Sequence, residues 1–127
     1  MMSENKLILI VDDEDTILFI LKRKLEQCGF VVETAQNGQE GLDKARSLNP
    51  DLIILDVMLP GIDGYKICQM LKFDEDYSEI PIILLTARNQ EEDRKMGLQT
   101  GANRYLTKTS ASDFWENLIE NVNELIN

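Results

Sequence analysis

The feature that most constrains the fold is an alternation of short apolar runs with longer segments whose apolar residues recur every three or four positions. The apolar run at 52–55 lies between two pairs of chain-breaking residues, Asn49-Pro50 and Pro60-Gly61, and ends at Asp56. A short apolar run with such boundaries is typical of a strand buried on both faces, as in parallel sheets covered by helices. Five strand and helix pairs fit the 127 residues, which predicts an α/β fold.

The pattern also predicts the approximate bounds of each element. We predict strands at residues 7–11, 31–35, 52–56, 82–86 and 103–106. Predicted helices span about 15–28, 64–73, 91–99 and 112–126, and a further helix passes through 42–48. Apolar residues at core spacing on the first and last helices are Ile17, Leu21, Leu25 and Cys28, and Phe114, Leu118, Val122 and Leu125.

The charge and the absence of histidine exclude several classes of function. There are 23 acidic and 13 basic residues, and the net charge of -10 repels phosphate backbones and anionic membranes. We therefore expect no direct binding to nucleic acid or membranes. The chain contains no histidine, which removes the commonest general base and zinc ligand. Any histidine chemistry must then come from a partner.

Length and apolar distribution predict one cytoplasmic domain. The 127 residues suit a single core, and we see no linker, so the interpretation is one domain over 1–127 without an effector domain, either as a stand-alone protein or as a piece of a longer one. No uncharged apolar stretch approaches the roughly 18 residues of a membrane span, and the N-terminus lacks a secretory apolar region. Cys28 and Cys68 are too few for a disulfide framework, and we predict two reduced, packed thiols.

Polar residues cluster at the predicted carboxyl ends of the strands. If the strands are parallel, these ends share one edge of the sheet, where ligands bind in such folds. Each residue alone has an ordinary explanation, such as an acid at a helix N-terminus or a solvated lysine. An accidental meeting of all five is much less plausible. The residues are Asp12, Asp13, Asp56, Thr86 and Lys108.

Three neighbouring carboxylates repel one another, and either protonation or a bound cation relieves that repulsion. A site made of oxygen ligands favours Mg²⁺, which retains positions for water and phosphate oxygens. A carboxylate beside such an ion is able to attack phosphorus, while an ammonium and a hydroxyl stabilise the transferred group. The residues at this edge therefore predict phosphoryl transfer.

Four motifs in order, at 10–14, 56–64, 85–87 and 101–108, resemble those of the receiver domain of two-component response regulators. The resemblance extends from Leu7 to about Leu125. It implies a doubly wound, flavodoxin-like (βα)5 fold, with a five-stranded parallel sheet of order 2-1-3-4-5 and helices on both faces. It further implies a protein that catalyses only its own phosphorylation and autodephosphorylation.

The resemblance assigns a role to individual residues. Asp56 is implied as the phosphoacceptor. The implied ligands of Mg²⁺, or of Mn²⁺ in its place, are Asp12, Asp13, Asp56 and the backbone carbonyl of Met58. The residues implied to contact the phosphoryl group or to switch with it are Thr86, Lys108 and Tyr105. Those implied to tune dephosphorylation are Met58 and Arg88.

The implied partners are a sensor histidine kinase or histidine phosphotransfer protein and a downstream effector, with a phosphorylation-dependent homodimer as a further expectation. The implied signalling face comprises the fourth helix, the last strand and the last helix. Trp115 and Ile119 either belong to this partner surface or widen the buried face of the last helix. Tyr105 is either the aromatic switch or a ring that covers the core with its hydroxyl in water.

One position departs from the family pattern. The family has proline after the lysine, joined by a cis peptide bond, whereas Lys108 precedes Thr109 here. A cis bond before a non-proline residue costs about 3 to 4 kcal/mol. Either the bond is cis under strain, or it is trans and Lys108 approaches the site by a changed path; we expect cis, because the ammonium must reach the site.

Three alternative functions remain at this point. One is a receiver-like binding module that works without phosphorylation. Another is a phosphatase with an aspartate nucleophile, which the methionine at position 58 disfavours. The third, an FMN-binding flavodoxin-like protein, lacks the phosphate loop after the first strand that such a protein needs.

Overall fold

The computed structural model of the chain describes residues 6–87, 91–109 and 111–126, with backbone alone at 91–94. Strands and helices alternate within these ranges. The strands are β1 (Leu7–Val11), β2 (Val31–Ala35), β3 (Leu52–Asp56), β4 (Ile82–Thr86) and β5 (Arg104–Thr107). The helices are α1 (Asp15–Gln27), α2 (Gly38–Leu48), α3 (Gly64–Lys72), α4 (Glu91–Gln99) and α5 (Phe114–Ile126).

The strands form one parallel sheet in the order β2-β1-β3-β4-β5, which confirms the predicted topology. Alternate strand residues point to opposite faces, and each face carries its own apolar cluster. Helices α2 and α3 cover one face with Leu42, Ala45, Ile67 and Leu71. Helices α1 and α5 cover the other with Leu21, Leu25, Leu118 and Val122. Every residue of β3 and β4 is buried, as the continuous apolar runs predict.

Local sequence explains where several helices begin and end. The side chain of Asn37 accepts a hydrogen bond from the Glu40 backbone N–H, and Asp63 accepts one from Lys66 N–H, so α2 and α3 both have side-chain N-caps. Helix α2 ends at Leu48, and its C-cap Asn49 has a left-handed φ of 50° directly before Pro50. The Asp63 cap closes the loop between Asp56, at the end of β3, and α3.

Most boundaries agree with the predictions to within two residues. Strand β5 begins one residue later than predicted; just before it, the Asn103 backbone N–H donates to the Ile82 carbonyl and the Asn103 side chain accepts from Ile82 N–H. The prediction that Cys28 is packed is wrong. Helix α1 ends at Gln27, which leaves Cys28 exposed at the C-cap, while Leu18 lies on the buried face. Cys68 is buried, as predicted.

No helix in the described ranges is long and apolar enough to cross a membrane.

Candidate functional site

The carboxyl ends of the central strands bring the predicted polar residues together. Asp56 is the last residue of β3, and Asp12 directly follows β1; the two residues are 3% and 1% exposed. Asp13 lies at the surface beside them. One carboxylate oxygen from each of Asp12, Asp13 and Asp56 lies within 4.8 Å of the others. Thr86, at the end of β4, is fully buried at the same edge.

Lys108 places its ammonium among carboxylates at this edge. Its Nζ lies 2.9 Å from Asp12 Oδ2, 2.8 Å from Glu14 Oε1 and 3.2 Å from Asp56 Oδ2. The Lys108 backbone N–H also donates a hydrogen bond of 2.6 Å to the Thr86 carbonyl, which continues the pairing of β5 with β4 by one residue. The lysine is thus held by backbone and side chain together.

The expectation of a cis bond after Lys108 is wrong. No cis peptide bond occurs in the described ranges, so the bond between Lys108 and Thr109 is trans. A trans bond avoids the cost of about 3 to 4 kcal/mol that a cis bond before threonine would carry. Since Lys108 Nζ lies 3.2 Å from Asp56 with the trans bond in place, reaching the site does not require cis.

Burial and crowding shift the pKa values of the site. Burial, followed by repulsion from Asp12, raises the pKa of Asp56 from 3.8 to about 6, against the attraction of Lys108. Burial also raises the pKa of Asp12. Burial of Lys108 opposes its charge, but Glu14, Asp12 and Asp56 outweigh this effect and raise the pKa of Lys108. The site therefore holds more negative charge than one ammonium balances.

The loop after β3 shapes the entrance to Asp56. The Met58 backbone N–H donates a hydrogen bond of 3.2 Å to Asp56 Oδ1, and the Met58 side chain is exposed. Gly64 begins α3 directly against the Asp56 backbone, and a Cβ at this position would lie 2.8 Å from Val57 Cα. Only glycine permits this approach. No sequence pattern distinguishes this glycine from an ordinary turn residue.

The remaining predicted site residues are Tyr105, Trp115, Ile119 and Arg88. Tyr105 is 2% exposed, and its hydroxyl lies 3.2 Å from the Tyr65 hydroxyl, so the alternative of a phenol in water is wrong. Trp115 and Ile119 are half-buried and pack against the apolar cluster beneath α1 and α5, so they widen the buried face of α5 while remaining partly accessible. Arg88 lies outside the described residues.

Two side-chain contacts were missed at the sequence level. Glu14 belongs to the first motif, but no role was predicted for it, and it provides one of the three carboxylates around Lys108. The acid's position directly after Asp12 and Asp13 could have suggested this contact. The contact of Tyr65 with Tyr105 joins residues 40 positions apart and has no local signal.

The donor set fits a small divalent cation. Asp12, Asp13 and Asp56 offer only carboxylate oxygens, the ligands preferred by Mg²⁺. Burial raises the pKa of Asp12 and of Asp56, and repulsion from Asp12 adds to the rise at Asp56, so a bound cation would offset an unfavourable concentration of negative charge. Asp56 also has a carboxylate oxygen beside an ammonium, as a nucleophile for an anionic phosphoryl group requires.

Sequence comparisons identify relatives along most of the chain. The family model of the response regulator receiver domain matches residues 8–120. The chain is 47% identical over 104 residues to the alkaline phosphatase synthesis transcriptional regulatory protein PhoP of Bacillus subtilis, covering 82% of the chain and 42% of PhoP. It is 45% identical over 101 residues to the regulator RpaA of Synechocystis, covering 80% of the chain and 42% of RpaA. The chain thus spans less than half the length of these curated relatives.

Solved structures agree with these sequence matches. The BeF3-activated DrrB receiver domain has a TM-score of 0.83 at 35% identity, with coverage of 98% of this chain and 97% of DrrB. The chemotaxis response regulator CheY4 of Vibrio cholerae has a TM-score of 0.86 at 30% identity, with coverage of 95% of this chain and 98% of CheY4. Response regulators of this family receive signals from histidine kinases, and their receiver domains bind Mg²⁺ at an acidic pocket. With the family model matched from residue 8 to residue 120 and the acidic cluster assembled at the sheet edge, this chain belongs to the response regulator receiver domain family.

Proposed function

We propose that the chain is a phosphoacceptor that takes a phosphoryl group onto Asp56. One observation carries this proposal: a buried carboxylate at the end of β3 lies 3.2 Å from a lysine ammonium and within 4.8 Å of two further carboxylates. The ammonium can bind a phosphoryl oxygen, while the acids can hold a cation that offsets the added charge. A purely structural ion pair would not require the two additional acids.

The proposed reaction is a substitution at phosphorus. A carboxylate oxygen of Asp56 forms the new bond to phosphorus, and the bond from phosphorus to the donor breaks with its electron pair leaving on the donor atom. Lys108 pairs with one phosphoryl oxygen and the Thr86 hydroxyl donates to another. Asp12, Asp13, Asp56 and the Met58 carbonyl would hold Mg²⁺, which neutralises charge on the transferred group. We also propose that Met58, whose side chain is exposed two residues after Asp56 in sequence, and Arg88 tune the rate of dephosphorylation.

The proposed phosphoryl donor is a phosphohistidine on a sensor kinase or a phosphotransfer protein. The chain contains no histidine, so a partner must supply it. The proposed output passes through the face formed by α4, β5 and α5, where Trp115 and Ile119 remain partly accessible. This face would bind a downstream effector or a second phosphorylated copy.

The alternative of a phosphorylation-independent binding module rested on the unusual junction between Lys108 and Thr109. Lys108 Nζ nevertheless lies 3.2 Å from Asp56, and no residue in the described ranges favours that alternative.

Incubation with a small acyl phosphate and Mg²⁺ tests the phosphoacceptor proposal. We expect the intact protein to gain the mass of one phosphoryl group, and borohydride reduction followed by peptide mapping should place it at Asp56. Omission of Mg²⁺ should suppress the gain. A parent protein that gains no mass, or a phosphoryl group mapped to another residue, would contradict the proposal.

Addition of Mg²⁺ is expected to stabilise the protein. An ion that binds only the folded chain raises the free energy of unfolding by about 2.7 kcal/mol at a hundred times its dissociation constant. The Asp13→Asn variant should require a higher Mg²⁺ concentration for the same gain in urea unfolding experiments. Asp76→Asn, which changes an exposed acid in the loop after α3, is the matched control and should respond like the parent. Equal responses in Asp13→Asn and the parent would remove Asp13 from the proposed ligand set.

A further inference from the structure

Tyr105 occupies space that exists because residue 97 is glycine. The ring lies against Gly97 of α4, where a Cβ would come within 2.6 Å of Tyr105 Cε2 and closer still to Cδ2. The same Cβ would lie 3.3 Å from Leu84 Cδ1, so the sheet also limits relief in that direction. Any larger residue at 97 would force the ring or the helix to move.

A second contact holds the other end of the ring. The Tyr65 hydroxyl, from the first turn of α3, lies 3.2 Å from the Tyr105 hydroxyl, and either one is able to donate. Tyr105 is therefore placed between α3 and α4, with its ring against one helix and its hydroxyl bonded to the other.

Glycine inside a helix needs an explanation, because it destabilises the helix relative to alanine. Helix α4 has only nine residues, and Gly97 lies in its last turns. The ring contact supplies this explanation. A side chain at 97 would favour the helix locally but would exclude Tyr105 from its buried position.

We propose that Gly97 and Tyr65 are positioning residues for Tyr105. Gly97 leaves room for the ring, and Tyr65 retains it through the hydroxyl contact. Because the Tyr105 ring lies against α4, a movement of α4 relative to β5 is expected to change the burial of Tyr105. This inference rests on the proposed function only in its consequence, which is that Tyr105 stays buried when Asp56 carries a phosphoryl group.

Hydroxyl-radical footprinting read by mass spectrometry measures the burial of Tyr105 without phosphorylation, with Tyr77 as the internal reference. We expect Gly97→Ala to raise the reactivity of Tyr105 by roughly tenfold or more, because overpacking of this size forces the ring outward. Tyr65→Phe should raise it by roughly three- to tenfold through loss of one hydrogen bond. Lys95→Ala, at an exposed position of the same helix, should leave it unchanged.

Urea unfolding of paired variants separates the ring contact from a general effect on α4. Gly97→Ala should lower the unfolding midpoint in the parent. In a Tyr105→Val background the contacting ring atoms are absent. There Gly97→Ala should raise the unfolding midpoint, because alanine has a higher helix propensity than glycine. Loss of stability of the same size in both backgrounds would overturn the role of Gly97, as would Tyr105 reactivity in Gly97→Ala equal to that of the parent.

Phosphorylation with acyl phosphate and Mg²⁺ adds the functional comparison. Tyr105 of the phosphorylated parent should stay as protected as in the unphosphorylated parent, whereas Gly97→Ala should take up the phosphoryl group and still leave Tyr105 reactive. If Tyr105 of phosphorylated Gly97→Ala is as slowly modified by hydroxyl radicals as Tyr105 of the phosphorylated parent, the proposal is overturned. If neither protein takes up the phosphoryl group, the proposed function fails, and the unphosphorylated footprinting and urea experiments still decide the roles of Gly97 and Tyr65.

Discussion

Asp56→Asn is expected to abolish phosphoryl uptake and, in the absence of divalent cations, to stabilise the protein at pH 7. The amide cannot act as the nucleophile, so incubation with acyl phosphate and Mg²⁺ should add no phosphoryl group. The stabilisation follows from the raised pKa of Asp56, since a carboxylate that is costly to ionise in the folded protein is replaced by a neutral group.

The sign and the size of the stability change depend on pH. The pKa of Asp56 rises from 3.8 to about 6 on folding, so between these values the folded protein binds more protons than the unfolded chain. The contribution of Asp56 to the free energy of unfolding therefore falls as the pH rises through this window. At about 1.4 kcal/mol for each pKa unit, the ionised carboxylate costs about 3 kcal/mol above pH 6.

Urea unfolding of the parent and Asp56→Asn in a chelator, from pH 4 to pH 7, measures this effect. The advantage of the variant should be about 0.5 kcal/mol at pH 4 and grow to about 3 kcal/mol by pH 7. Asp43→Asn, an exposed acid on α2, serves as a control and should show no such growth. An advantage for Asp56→Asn that is constant with pH would contradict the raised pKa, and phosphoryl uptake equal to that of the parent would contradict the role of Asp56.

Lys108→Met is expected to destabilise the metal-free protein and to slow phosphoryl uptake. Methionine preserves much of the apolar length of the side chain but leaves the buried carboxylates of Asp12 and Asp56 without their ammonium. Removal of one partner from a buried ion pair costs about 3 to 5 kcal/mol. Loss of a group that stabilises charge in the transition state should slow uptake roughly a hundredfold.

Lys22→Met is the matched control, because Lys22 also contacts a carboxylate, Glu26, but at 4.0 Å on the surface of α1. Its cost should stay below about 1 kcal/mol, as for other exposed ion pairs. In the Asp56→Asn background the cost of Lys108→Met should shrink, because fewer buried charges remain unpaired. A Lys108→Met variant that resembles Lys22→Met in stability and the parent in uptake would rule out the role assigned to Lys108.

Much of the fold was predictable because its signals are local. The apolar runs that become β3 and β4 are continuous, since helices cover both faces of the sheet, and breakers delimit them. Errors occurred at the ends of elements, where either a nonlocal contact or the last helical turn determines the boundary. Asn103 bonds to Ile82 just before β5 begins, and Cys28 lies beyond the last turn of α1, where the helical spacing no longer applies.

In the candidate site, too, some features were predictable from the sequence and others were not. The acids and the lysine were predictable because parallel strands place their carboxyl ends at one edge. The contact of Lys108 with Glu14, the trans peptide bond after Lys108 and the surroundings of Tyr105 were not predictable. Lys108 and Glu14 are 94 positions apart, and only the path of the folded chain determines that their charges meet.

The sequence by itself determined the α/β architecture, the strand ends and the residue types available for phosphoryl chemistry, because hydrophobic periodicity and chain breakers act over a few residues. Only the tertiary structure decided that a trans bond is sufficient for Lys108 to reach Asp56 and that the Tyr105 ring lies against Gly97. These outcomes depend on distances between side chains far apart in sequence, which packing determines and local pattern does not.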